Sequence, residues 1–136
     1  MYSEADMTLN RRKLLKLTSA GFAALALPGL ANAKGKLELI MFDQVGCQWC
    51  AKWQKEVGGV YHKSYEGKRA PVRRVDMFGD RPAELAFIKD IVYSPTFVLV
   101  QDGRELGRIT GYPGKAHFYV LLSQMLSELD RKKSGS

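Results

Sequence analysis

The chain has 136 residues, 46% of them apolar and 26% charged, which accommodates one small globular domain and excludes a second full one. Six Phe, six Tyr and two Trp argue against disorder, and the 13 Gly fall in no collagen-like period. The 21 basic and 14 acidic side chains give a net charge of +7, part of which sits in the first sixteen residues.

Arg11, Arg12, Lys13 and Lys16 precede an uncharged run over residues 17–27, broken by Pro28 and followed by Ala31-Asn32-Ala33. Basic, apolar and then small residues is the order of a cleavable export signal. Eleven uncharged residues are too few for a retained span, which needs about 20. Cleavage is expected after Ala33, giving a leader over residues 1–33 and a single domain over 34–136. The segment 10–16 resembles a twin-arginine signal, and the polar residues ahead of it are consistent with a start at Met7. No Cys follows the apolar run to accept a lipid. Removing the leader leaves 103 residues, with 17 basic and 12 acidic side chains. The mature chain is therefore modestly basic, and its expected location is the periplasm.

Residues 37–42 are an apolar run of strand length, ending in a Gly-containing turn before Cys47. Cys50, Trp53, Val57, Val60 and Tyr61 then recur at helical spacing, with Gly58-Gly59 placed to end or kink the helix. Residues 72–76 predict a second strand. Pro82 opens a predicted second helix, with Leu85, Ile88 and Val92 as its apolar stripe. Residues 96–101 and 104–110 are β-rich runs joined by Asp102-Gly103, a pair suited to a tight antiparallel hairpin. Phe118, Leu121, Leu122, Met125, Leu126 and Leu129 mark a closing helix over 116–129, followed by a polar tail expected to fray. The order β-α-β-α-β-β-α predicts an α/β fold with a central mixed sheet, its first two strands parallel, and helices on its faces.

Cys47-Gln48-Trp49-Cys50 carries the chemistry. Two thiols spaced by two residues at a helix start can close into a disulfide and reopen by exchange. The helix N-terminus favours the thiolate of the residue nearer the end, making Cys47 the attacking sulfur and Cys50 the resolving one. A static structural disulfide is the alternative, although so short a loop restrains the unfolded chain little. Zinc would have to recruit His62 and His117. Ala51 stands where haem attachment needs His. No metal or organic cofactor is indicated.

The strand, the Cys-x-x-Cys helix and the later Ser94-Pro95-Thr96-Phe97 strand together resemble the thioredoxin superfamily, over nearly all of residues 36–130. The resemblance implies that Pro95 is a cis-proline facing the disulfide and that Ser94 presents its backbone to an extended substrate. A trans Pro95 that merely begins an edge strand is the competing account. Gly111 matches a glycine that lets substrate backbone approach, though a turn glycine explains it equally well. Trp49, between the two cysteines, is placed to pack against a substrate, whereas Trp53 belongs to the core. The chain departs from thioredoxins proper at Met41, where a buried acid is common, and at Gln48-Trp49, where Gly-Pro is. Asp43 is nearby but suits a turn or cap.

Residues 42–53, 70–76 and 107–114 are more narrowly similar to the periplasmic thioredoxin-like SoxS proteins of sulfur-oxidation operons. That resemblance implies a protein thiol–disulfide oxidoreductase that reduces the carrier protein SoxYZ, supplied with electrons by a membrane thiol–disulfide transporter. A disulfide donor or isomerase, and a binding module without turnover, are the alternatives. Lys68, Arg69, Arg73 and Arg74 cluster in sequence, with Arg73 and Arg74 expected on opposite faces of a strand. They suit a solvated surface, or docking of an acidic partner, and no nucleic-acid motif accompanies them. His62 and His117 are expected at the surface, and the domain is expected to be a monomer.

Overall fold

The computed structural model describes residues 35–136, so the leader and the cleavage after Ala33 lie outside the described residues. Four strands, β1 (Leu37–Asp43), β2 (Val72–Asp76), β3 (Thr96–Gln101) and β4 (Arg104–Thr110), form one sheet in the order β2-β1-β3-β4. β1 and β2 run parallel, and the remaining pairs run antiparallel, so the sheet is mixed as the sequence predicts. Asp102 and Gly103 make the β3–β4 connection with φ of 53° and 70°, the paired positive angles of a two-residue hairpin turn.

Side chains alternate across the sheet and divide the core in two. Leu37, Leu39, Met41, Phe97, Leu99 and Ile109 face one side, where they meet Cys50, Trp53, Val57, Tyr61, Phe118, Leu122 and Leu126. Ile40, Phe42, Val75, Val98 and Val100 face the other, against Leu85 and Ile88. Every β3 residue is buried, which fits a central strand covered on both faces. Trp53 lies at the middle of the first cluster, its ring 5.4 Å from Phe97 and 6.0 Å from Phe118.

The helices depart from expectation in four places. α1 is regular only over Gln48–Trp53, continues as a π-type turn over Gln54–Gly58, and exits at Gly59. Val60 therefore falls off the buried face and is exposed, while Cys50, Trp53, Val57 and Tyr61 remain inside. A further short helix, α2 (Tyr65–Arg69), follows; Ser64 caps it by accepting from Gly67 N at 2.9 Å. Its cap residue and the Glu66 in its first turn were the legible signals, masked by the central glycine. That glycine is required: a Cβ at Gly67 would stand 1.8 Å from the Tyr61 carbonyl oxygen.

The predicted helix behind Pro82 is a single 3-10 turn, Ala83–Leu85. Leu85 and Ile88 are buried as predicted, but Val92 is exposed. Beyond that turn, arginine side chains bind the loop's carbonyls: Arg81 donates to Ile88 O, and Arg108 donates to Lys89 O at 3.0 Å and Asp90 O at 3.3 Å. The last helix, α3 (Lys115–Ser134), absorbs most of the tail expected to fray. Basic side chains in its last turn suit the helix C-terminus, and Arg69 grips Asp130 through two bonds of 2.9 and 2.8 Å. No described helix is long and apolar enough to cross a membrane.

Candidate active site around Cys47 and Cys50

The β1–α1 turn delivers Cys47 to the N-cap of α1, with φ −72° and ψ 106°. Cys47 and Cys50 form a disulfide with a Cα separation of 5.2 Å. The Cys47 sulfur accepts a hydrogen bond from Cys50 N at 3.1 Å, as a cap side chain does. Cys47 is partly exposed, whereas Cys50 is 3% exposed and packs into the core cluster. Only the first sulfur is thus open to a bulky partner, and a backbone N–H is aimed at it.

The Ser94–Pro95 peptide is cis, so Pro95 does not simply begin an edge strand in the trans form. Pro95 is buried behind Ser94, and its carbonyl accepts from Gly111 N at 2.7 Å. That bond ties the entry of β3 to the exit of β4. Ser94 precedes the β3 ladder, which begins at Thr96, and its hydroxyl lies within bonding distance of both sulfurs: 3.1 Å from Cys50 and 3.3 Å from Cys47.

Trp49, Ser94 and Gly111 line one open groove of about 450 Å³ together with Tyr93, Tyr112 and Pro113. Trp49 is half exposed, and Lys52 Nζ sits 5.4 Å from its ring centroid. Gly111 has φ +82°, and a Cβ there would meet nothing within 4 Å, so the backbone angle rather than crowding calls for glycine. Tyr112 Oη donates to Glu56 at 2.6 Å across the groove's edge. Desolvation, with Glu56 second, raises the Tyr112 pKa, so the phenol stays a donor well beyond neutral pH.

A second cleft opens beside the pair, lined by Gln44, Gly46, Cys47, Cys50, Gln54 and Arg74. Arg74 bonds Asp43 at 2.6 Å and Gln54 at 2.9 Å, so Asp43 anchors a guanidinium instead of touching a sulfur. Arg73 points to the opposite face, as expected, toward Glu38 and Glu84. His62 and His117 are exposed, and Met41 is fully buried in the cluster that holds Cys50. Among the described residues, no group of three or more His, Cys, Asp or Glu is placed to hold a metal.

Arg108, Tyr112 and Glu56 were not singled out in the sequence. Arg108 acts on carbonyls 18 and 19 residues away, and Tyr112 on a carboxylate 56 residues away, so no local spacing advertises them.

Residues 29–126 match the family model described as Thioredoxin-like domain. Among solved structures, the chain is similar to the periplasmic thioredoxin SoxS of Paracoccus pantotrophus in its reduced form. The identity is 38% and the TM-score 0.64, over 68% of this chain and 98% of that one. It is also similar to the Fasciola hepatica thioredoxin, at 23% identity and TM-score 0.54, over 73% and 90% of the two chains. A third match is the germline-specific thioredoxin Deadhead of Drosophila melanogaster, at 22% identity and TM-score 0.51, over 74% and 87%. The last two similarities bear on the fold alone. Among curated proteins, no sequence matches.

Proposed function

The chain belongs to the thioredoxin-like domain family, and on that premise we propose that its Cys47–Cys50 pair works as a reductant of protein disulfides in the periplasm. Thiol–disulfide exchange through the pair is the activity that this fold and this motif support. The observation that carries the direction is the donor set at Cys47. Its sulfur receives one backbone N–H and one hydroxyl, both neutral, and no cationic side chain bonds it among the described residues. Strong oxidants owe their potential to a heavily stabilised reduced form, which this set does not supply.

In the proposed reaction, the Cys47 thiolate attacks a substrate disulfide, and Cys50 resolves the mixed disulfide. Trp49, Ser94 and Gly111 receive the extended segment around the substrate sulfur, with Pro95 backing Ser94. The substrate we propose is SoxYZ, with electrons supplied by a membrane thiol–disulfide transporter. Support comes from the 38% identity to a periplasmic SoxS and from the sequence resemblances over residues 42–53, 70–76 and 107–114. Export through the leader, with cleavage after Ala33, belongs to the same proposal; it predicts Lys34 as the first residue of the mature protein.

The test is the reduction potential of the pair, followed by trapping. A value near or below about −250 mV supports a reductant, and one near about −120 mV makes the protein a disulfide donor. With Cys50→Ala, purified SoxYZ should form a covalent adduct on Cys47; no adduct with the thiolate intact would exclude that partner. Full biological function after replacing both cysteines would exclude turnover altogether and leave a binding module.

A further inference from the structure

The basic side chains of the domain divide into two kinds. Arg69, Arg73, Arg74 and Arg108 each hold a carboxylate, on Asp130, Glu84, Asp43 and Glu105 respectively. The arginines that cluster in sequence are therefore largely neutralised. Lys55, Lys63 and Lys115, by contrast, are exposed and pair with no carboxylate among the described residues. Lys52 is also exposed, and its one carboxylate partner, Glu56, stands 3.9 Å away.

These four lysines share one surface. Trp53, Tyr61 and Tyr112 turn inward onto Phe118, with ring centroids 6.0, 6.4 and 6.3 Å from it. The helical stretch after Cys47 and the start of α3 are thereby packed side by side, and the lysines around those anchors are left facing solvent. Over residues 47–65 and 111–127, four Lys stand against a single carboxylate, Glu56, for a net charge of +3. Glu56 is itself engaged by Tyr112 at 2.6 Å. The surface reaches the redox groove at two points: Lys52 Nζ lies 5.4 Å from the Trp49 ring centroid, and Lys115 follows closely on Pro113.

We propose that this lysine surface docks an acidic region of the protein whose disulfide enters the groove. The proposal rests on exchange between Cys47 and a protein disulfide, and it names the chemistry of that partner. An ammonium is a compact, strongly hydrated charge on a flexible stem, so it attracts without demanding a fixed geometry. Gathered on one side of a site, such charges steer an oppositely charged partner and orient it before contact. The segment around the substrate sulfur then arrives along the groove, between Trp49 and Pro113. A lipid headgroup offers the same negative charge, but it brings no disulfide to the groove that borders the surface, so a protein is the favoured occupant.

The experiment measures kcat/KM of the reduced full chain with two peptide disulfides that differ only in a block of Glu or of Gln beside the cysteine. At low salt the Glu peptide should be preferred by about tenfold, and the preference should vanish at high salt. Lys55→Glu combined with Lys115→Glu should reverse the preference; the second change puts a negative charge at a helix N-terminus, where it suits the fold. Arg104→Glu combined with Lys133→Glu alters the net charge equally, in a separate cleft between the β3–β4 hairpin and the end of α3, and should leave the tenfold intact. No preference in the parent, or one that both double variants lose alike, would overturn the docking surface. Binding of the parent to phosphatidylglycerol vesicles without any peptide preference would overturn it in favour of an anionic membrane. Exchange with uncharged 2,2′-dipyridyl disulfide separates the two levels: if the parent reacts with it yet shows no peptide preference, docking alone fails. If the parent does not react with it, the exchange reading and the docking fall together.

Discussion

Tyr112 Oη donates to the Glu56 carboxylate at 2.6 Å, joining the turn after β4 to the helical segment that carries the redox pair. The turn contributes Gly111, Tyr112 and Pro113 to the groove, and the helix contributes Trp49, so this one bond spans the two walls.

Tyr112→Phe should keep the ring and release the wall. Stability should fall by about 0.5–1.5 kcal/mol, the net worth of one such bond. The KM for a protein disulfide should rise while the reduction potential stays the same. The folded pKa of Tyr112 is raised, first by desolvation, so the bond's contribution is complete below the ordinary phenol value of about 10 and is lost as pH rises through the folded value. Urea melts of the parent and of Tyr112→Phe should therefore differ by a constant amount from pH 6 to about 9 and converge only above that.

Arg108→Met should loosen the loop that leads into Ser94. The guanidinium donates to Lys89 O and Asp90 O while Glu105 holds it from its own strand at 2.7 and 2.5 Å. Its two carbonyl partners would fall to solvent, costing about 1 kcal/mol. Amide exchange should accelerate over residues 86–93 and stay unchanged in β1. Equal exchange in that loop for both proteins would show that Arg81 and the buried Leu85 and Ile88 suffice to hold it.

Gly67→Ala should be among the most damaging small substitutions outside the site. The new methyl would collide with the Tyr61 carbonyl, a backbone atom that cannot swing away. A loss of about 1–3 kcal/mol is expected, read as a lower denaturation midpoint. Gly59→Ala is the control, because its φ of −68° is ordinary and a Cβ there meets nothing within 4 Å. That change should be neutral or stabilising by about 0.4–1 kcal/mol.

Asp130→Asn should fray the end of α3 without touching the redox pair. Arg69, through its side-chain hydrogen bonds, holds the Asp130 carboxyl below the usual range. A lowered folded pKa means that the contribution is present above the ordinary carboxylate value of about 3.9 and is lost as pH falls through the depressed one. The exposed pair is also screened by salt. Amide protection over residues 127–134 should fall in the variant, and the parent should lose the same protection in acid. Protection equal to the parent at neutral pH and low salt would show that helix propensity alone carries those turns.

Short-range pattern made most of this architecture legible. Strand limits follow from short apolar and β-rich runs, the hairpin from Asp102-Gly103, and the redox pair from two cysteines set one helical turn apart. Each of these depends on bonds within a few residues or on the period of a single element, which the amino-acid order states directly.

Other features were settled only when the chain closed on itself. The run from Pro82 to Val92 has a helical stripe, yet its carbonyls are taken by Arg81 and Arg108, and the helix gives way to one turn. Ser94 stands 44 and 47 residues from the sulfurs its hydroxyl meets, and the crossover from β1 through β2 to β3 alone brings them together. The sequence by itself determined which atoms can exchange a disulfide, because thiol chemistry and helix spacing are local. The tertiary structure decided which donors and which groove surround those atoms, because a hydrogen bond between distant residues exists only after the sheet has set their strands side by side.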